Sequence, residues 1–412
     1  MFVSNAIAML LKSVIEQTAE MQRVTLKKKD SGLNRYALEK LPDLSAHVLI
    51  VSGVRRCGKS ILQLQLLKSK YKNAFYLNFE DPRLYDFEKN DFLRLDEIIT
   101  ESKSEVLFFD EIQIIDEWER YVRQKLDEDF KIVVTGSNAS LLSKELGTKL
   151  TGRHITKELF PFSYQEYCQY KKEDASEKTT LRYLKSGGFP EFVKRKDEDI
   201  LKYLLDDILV RDIAVRYGVR DIRSLKRLTL HLISNVGNLV SGNKLKALFD
   251  INATSTVMEY LSHLEYAYLL FFVPKFSYST KKQIVNPRKV YAIDTGLVNA
   301  NTLSFTDDNG AKFENLIFLH LRRKYEEIYY FSEKGECDFI VSEKEIVQQV
   351  VQVCYDLNQD NLERELNGLY EALDFFGMEQ GTIVTLNQND RFEKNGKVAN
   401  VVPAHEFMTR LD

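Results

Sequence analysis

The sequence predicts an α/β fold: a parallel sheet carrying a phosphate-binding loop, then mainly helical segments, then a smaller α/β domain. Gly53-Val54-Arg55-Arg56-Cys57-Gly58-Lys59-Ser60 places four residues between two glycines and closes with Lys and Ser, the P-loop pattern. An apolar run, Val48 to Val51, precedes it, and Ile61, Leu62, Leu64, Leu66 and Leu67 follow at helical spacing, so the strand-loop-helix context is present. Downstream, Ala74 to Phe79, Val106 to Phe109 and Ile132 to Thr135 alternate with helical segments, which implies crossovers between parallel strands.

With 412 residues and 44% apolar residues, the chain has length for two to four domains and material for real cores. A net charge of -3 gives no global attraction to nucleic acid or membrane, so any such contact must come from a local patch. Cys57, Cys168, Cys337 and Cys354 form no CxxC pair, which argues against a zinc site and a disulfide framework and fits a reducing cytoplasm. Residues 1–34 read as a helix and a linker. Ile7, Leu10, Leu11, Val14 and Ile15 follow helical spacing, and Lys27-Lys28-Lys29 reads as a solvated run rather than a nucleic-acid site. No apolar run approaches the length that spans a bilayer, so no membrane segment is expected.

The residues of the loop and of its neighbouring strands imply ATP and Mg²⁺. Gly53 and Gly58 let successive N–H groups of Gly53 to Ile61 turn toward phosphate oxygens at a helix N-terminus. Lys59 would reach the β- and γ-phosphates, and Ser60 would offer its hydroxyl to Mg²⁺. Val106 to Phe109 ends in Asp110-Glu111, a buried strand delivering two acids to one sheet edge. Asp110 would hold the Mg²⁺ shell and Glu111 would polarise the attacking water. Cys57 lies at the helix start beside Arg55, Arg56 and Lys59, surroundings that lower a thiol pKa.

Several short motifs recur in an order that resembles prokaryotic AAA-type ATPases with a C-terminal domain of unknown function. They are the P-loop, Leu77-Asn78-Phe79-Glu80-Asp81-Pro82, Phe109-Asp110-Glu111-Ile112-Gln113, Thr135-Gly136-Ser137-Asn138, Leu150-Thr151-Gly152-Arg153, Leu159-Phe160-Pro161-Phe162-Ser163 and Gly187-Gly188-Phe189-Pro190-Glu191. The resemblance implies a P-loop NTPase (AAA-like) core over 35–170, a helical lid over 181–225, a winged helix-turn-helix over 226–295 and a nuclease-like α/β domain over 308–412. Asn138 would take the sensor position beside the γ-phosphate, with a turn-forming asparagine as the alternative. Arg153 would be an arginine finger reaching a neighbouring subunit's nucleotide in a homo-oligomer, the alternative being an ordinary surface arginine. The charges of Asp206 to Asp212 read as ion pairs along a helix rather than a metal site.

In the winged segment, the helix opening at Ala253-Thr254-Ser255-Thr256 has no Arg or Lys in its first turn, whereas Lys275, Lys281, Lys282, Arg288 and Lys289 lie on or near the wing. Contact with DNA phosphates is therefore expected in preference to base readout, and a protein-interaction module is the alternative. The last domain resembles a PD-(D/E)xK nuclease core with Glu314 and Asp338 in place. Where the Glu-x-Lys element belongs, the chain reads Gln352-Val353-Cys354. The expectation is an inactive domain that binds or docks. The whole chain is expected to be an ATPase that hydrolyses Mg-ATP to switch or remodel a client such as DNA, the alternative being a nucleotide-gated scaffold for a protein partner.

Overall fold

Apolar runs of about five residues become the strands β1 Val48–Ser52, β2 Ala74–Asn78, β3 Val106–Asp110, β4 Lys131–Gly136 and β5 His154–Glu158. They form one sheet in the order β2-β3-β4-β1-β5 with every pairing parallel. β1 and β3 are buried along their whole length, as parallel strands covered by helices on both faces must be. The covering helices Lys59–Ser69, Phe92–Ser102 and Trp118–Asp127 supply the crossovers, and Ile50, Leu77, Leu107, Phe109, Ile132 and Val134 meet in a single core. The fold is a P-loop, AAA-like α/β sheet. Because β4 lies between β1 and β3, the C-terminal ends of the loop strand and of the acidic strand flank one polar strand end.

The computed structural model describes residues 9–138, 150, 152–303 and 308–410; Ile7, Thr151 and the last two residues lie outside them. Two units are resolved, Met1–Val54 with Gly58–Leu159, and Arg55–Cys57 with Phe160–Asp412. The first unit includes the helix Lys12–Lys28, whose Ile15 and Ala19 enter the sheet's core. Lys27 and Lys28 form its last turn, so the basic stretch closes a helix where a linker was expected. The first unit ends at Leu159, short of the expected 170. The reason is local to the second unit: Phe162 N–H donates to Gly188 O (2.7 Å), and the Arg323 guanidinium donates to Pro161 O (2.9 Å) and Phe162 O (3.2 Å). A capping box between Ser163 and Glu166 then starts the helix Tyr164–Lys171.

In the second unit, helices Glu177–Ser186 and Pro190–Arg195 are followed by Asp199–Asp207, which runs on into a π-helical stretch, Ile208–Val215, ahead of Ile222–Ser234. Asp206 pairs with Lys226, and Asp207 pairs with Arg211 (3.5 Å), so these charges form ion pairs. Strands β6 Leu239–Val240, β7 Leu270–Pro274 and β8 Arg288–Ala292 form an antiparallel sheet in the order β6-β8-β7, with helices Gly242–Phe249 and Thr254–Tyr266 between β6 and β7. A mixed sheet ends the chain: β9 Glu327–Ser332, β10 Glu336–Glu343, β11 Ile346–Val353, β12 Gln380–Thr385, β13 Asp390–Lys394 and β14 Lys397–Pro403, in the order β13-β14-β12-β11-β10-β9. Helices Asn309–Arg322 and Leu362–Phe376 pack with it. Among the described residues, no helix is long and apolar enough to cross a membrane.

Candidate nucleotide site

The loop after β1 turns on Gly58, which takes φ +109° and whose Cβ, were it present, would lie 3.0 Å from Arg35 Nη1. The positive φ favours glycine there, and a Cβ would in addition make the Arg35 guanidinium give way by a few tenths of an ångström. Gly58 opens the helix Lys59–Ser69, so the free N–H groups of a helix start belong to the loop itself. Lys59 is buried and curls back, donating to Gly53 O (3.0 Å) and Val54 O (3.2 Å). Its ammonium is thus fixed over the loop, close to where a loop-bound phosphate would need charge. Arg35, which the sequence did not single out, is buried beside Gly58, and Gln65 on the same helix accepts its backbone N–H (3.2 Å).

Asp110 ends β3 fully buried among hydroxyls: Tyr76 Oη donates at 2.9 Å, Thr135 Oγ1 donates closely, and Ser60 donates as well. Burial, then the neighbouring Glu111 charge, raises the Asp110 pKa, while the hydroxyl donors act to lower it. A hydroxyl and a carboxylate brought together are oxygen donors of the type Mg²⁺ takes, so Ser60 and Asp110 fit that ion. Among the described residues, no group of three or more His, Cys, Asp or Glu side chains is arranged to hold a metal ion. A P-loop site relies instead on a hydroxyl, one acid and the substrate's own phosphates.

Glu111 adopts φ +55°, a left-handed conformation that costs a non-glycine residue about 1–3 kcal/mol and that clusters at functional positions. Its backbone N–H donates to Thr135 Oγ1 (3.3 Å), its carboxylate lies 3.8 Å from Lys59 Nζ, and Gln113 donates to it. Lys59, Ser60, Asp110 and Glu111 therefore converge within the first unit. Tyr76 and Thr135 complete the cluster and were missed from sequence. Their signal lies in the strand register, because Asn78 pairs with Asp110 and Tyr76 sits two residues back on the adjoining strand.

Asn138 is buried just beyond β4, where its carbonyl accepts from Ser52 Oγ (3.5 Å). Arg153 does not join the cluster. It precedes β5, its carbonyl accepts from Val48 N–H (3.1 Å) at the start of β1, and its guanidinium is ion-paired with Asp127. Val54 and Cys57 are buried, and Ile61 is half-buried on the loop helix. Arg55, Arg56 and Cys57 count with the second unit; there Arg55 forms a two-pronged ion pair with Asp212 (2.9 and 3.1 Å), and Arg56 reaches Asp207 (3.0 Å). Of the basic residues assigned to the wing, Lys281 and Lys282 are exposed, Lys275 pairs with Glu333 (3.1 Å) and Lys289 is buried among carboxylates, which removes it from any nucleic-acid surface.

A family model described as an AAA domain matches residues 45–168, and a model of a domain of unknown function, DUF8612, matches residues 177–308. An uncharacterized protein of Methanocaldococcus jannaschii is 34% identical, over 94% of this chain and 92% of the relative. An uncharacterized protein of Haemophilus influenzae is 32% identical, over 77% of this chain and 85% of the relative. Among solved structures, Cdc6p from Pyrobaculum aerophilum superposes over 77% of this chain and 98% of its own at 13% identity, with a TM-score of 0.26, too loose to bear on the fold.

Proposed function

The chain belongs to the family of AAA-domain proteins represented by these archaeal and bacterial relatives, and from that premise we propose that it binds and hydrolyses ATP to switch the state of a client. One observation carries the reading: Lys59, Ser60, Asp110 and Glu111 meet at the edge of a single sheet. Lys59 and the loop N–H groups would neutralise and hold the β- and γ-phosphates. Ser60 and Asp110 would hold Mg²⁺, which supplies charge neutralisation to the transferring phosphoryl group. Glu111 would orient a water and accept its proton, and Asn138 would complete the polar wall at the end of β4.

Two substitutions separate binding from turnover. Lys59→Ala is expected to lose tight ATP binding in an equilibrium titration. Glu111→Gln is expected to keep binding while its hydrolysis slows by about 10²-fold or more. Equal loss of binding in both would sink the assignment of Asp110-Glu111 to the metal and water.

DNA is the client favoured by a winged-helix reading of the segment holding β6, β7 and β8, where Lys281 and Lys282 offer phosphate contacts. A protein client is favoured by a different feature of the same hairpin: Tyr278, Ile284 and Val285 are 82%, 64% and 73% exposed. ATPase rates across a salt series with and without DNA decide between them. Stimulation by DNA that fades as salt rises supports the first, and indifference to DNA supports the second.

A further inference from the structure

Strand β8 carries Lys289 into a cluster of acids supplied by elements far apart in sequence. Its Nζ lies 2.7 Å from Glu336 and 2.8 Å from Asp338, both on β10, and 3.1 Å from Glu314 on the helix Asn309–Arg322. We propose that Lys289 is the resident cation of this cluster, and that its ammonium holds shut a site that would otherwise take a divalent ion.

The surrounding bonds favour a built arrangement over a chance contact. Tyr291 Oη donates to Glu314 (2.6 Å), Val353 N–H donates to the second oxygen of Asp338 (3.0 Å), and Gln352 Oε1 accepts from Asp338 N–H (3.2 Å). The Glu314 and Asp338 carboxylates are thereby each aimed at the ammonium by a partner that is not itself a cation. Burial alone would lower the Lys289 pKa, but Asp338 and the other carboxylates outweigh it and hold the ammonium charged. Burial, then the Asp338 charge, pushes Glu314 up to about 7, while Glu336 reaches the ammonium from the half-exposed rim of the cluster. Gln352, standing where the resemblance expects an acid, turns its amide to Glu365 and contributes no further negative charge toward Lys289. The missing lysine of Gln352-Val353-Cys354 is thus answered from another strand, in a position that excludes a metal.

Removing the ammonium would leave three facing carboxylates and the space it filled. Oxygens 2.7–3.1 Å from a common centre need to close by only a few tenths of an ångström to reach the ~2.3–2.6 Å that Ca²⁺ takes, less than Mg²⁺ would demand. Ca²⁺ is therefore the probe.

The test uses the full chain without nucleotide. In calorimetric titration above neutral pH, Lys289→Met is expected to gain one Ca²⁺ per chain over wild type, and Lys289→Met with Asp338→Asn is expected to lose it. A folded Lys289→Met that takes up no additional Ca²⁺ overturns the proposal. A second arm needs no variant: reductive methylation mapped by mass spectrometry should modify wild-type Lys289 at least about tenfold more slowly than exposed Lys281, with or without Ca²⁺. If Ca²⁺ accelerates labelling of Lys289, the ammonium is displaceable and the proposal fails. Should the variant not fold, the labelling arm decides alone.

Discussion

Gly187 and Gly188 open one of the recurring motifs of the sequence, and each is dictated by what it touches. A Cβ on Gly187 would fall 2.0 Å from Asp294 Oδ1, and one on Gly188 would fall 2.2 Å from Phe162 O. Asp294 accepts from Gly188 N–H (2.6 Å) and Leu297 N–H (2.9 Å), so the motif Gly187-Gly188-Phe189-Pro190 packs onto a buried carboxylate that also caps the helix Thr295–Asn301. These motif residues hold structure and are not part of the candidate chemistry. Burial pushes Asp294 up to about 6 from 3.8, against the pull of the backbone donors at Gly188, Leu297 and Gly296. The folded chain therefore binds a proton that the unfolded chain has released between those two values. The stability that Asp294 contributes is complete below about pH 4 and is lost as pH rises through about 6, an effect on the order of 3 kcal/mol. Asn at this position cannot titrate. In urea unfolding, the margin of wild type over Asp294→Asn should widen as pH falls from 7 to 4; a margin that stays flat would refute the assignment.

Strand β2 is an edge of the first sheet, and an uncovered edge invites pairing with another chain. The helix Lys12–Lys28 covers it in two ways. Ile15, fully buried, joins the core with Val48 and Phe75, while the Gln22 amide accepts from Asn78 N–H (2.8 Å) and donates to Asn78 O (3.1 Å), completing the strand's last residue. The magnitudes rank the two. Truncating a fully buried Ile costs about 2–5 kcal/mol, whereas a lost hydrogen-bonding partner costs about 1–3 kcal/mol, and water at an edge can repair part of that. Ile15→Ala should therefore lower the melting temperature of the first unit more than Gln22→Ala, as calorimetry can measure. The reverse order would mean that the amide, not the apolar face, fixes the helix. Ile15 was legible from helical spacing. Gln22 was not, because a polar residue bonding a strand edge breaks no periodicity. Tyr76 and Thr135 around Asp110 escaped for the same reason, since the pairing register that brings them there is a property of the sheet.

At the scale of the whole molecule, the P-loop could be read because its chemistry is contiguous, while Lys289 could not, because its partners Glu314, Glu336 and Asp338 meet it only through tertiary packing. Arg153 belongs to a third class, a residue whose place in its own chain argues about a neighbour. β1 and β5 are parallel and in register from Val48 with His154 to Ser52 with Glu158, so Arg153 stands at the opening end and the P-loop at the closing end. Strand length alone separates them by ~13 Å, beyond the ~8 Å over which charges act through physiological salt. Arg153 is turned to Asp127 instead of to the loop of its own subunit, so the finger reading is one of contact with a second copy. Its guanidinium is about one-third exposed and held by Asp127, which is itself largely exposed, a surface pair that a partner's phosphates would readily displace. If Arg153 acts as a finger, Arg153→Ala should cut turnover by about 10³-fold with nucleotide affinity nearly unchanged. Mixing Arg153→Ala with Glu111→Gln subunits should then restore activity, because some interfaces combine an intact Arg153 with an intact Glu111. The wild-type rate per chain should rise with concentration as subunits assemble. A strictly monomeric protein whose rate per chain is the same at every dilution would leave Arg153 as a surface residue that holds Asp127.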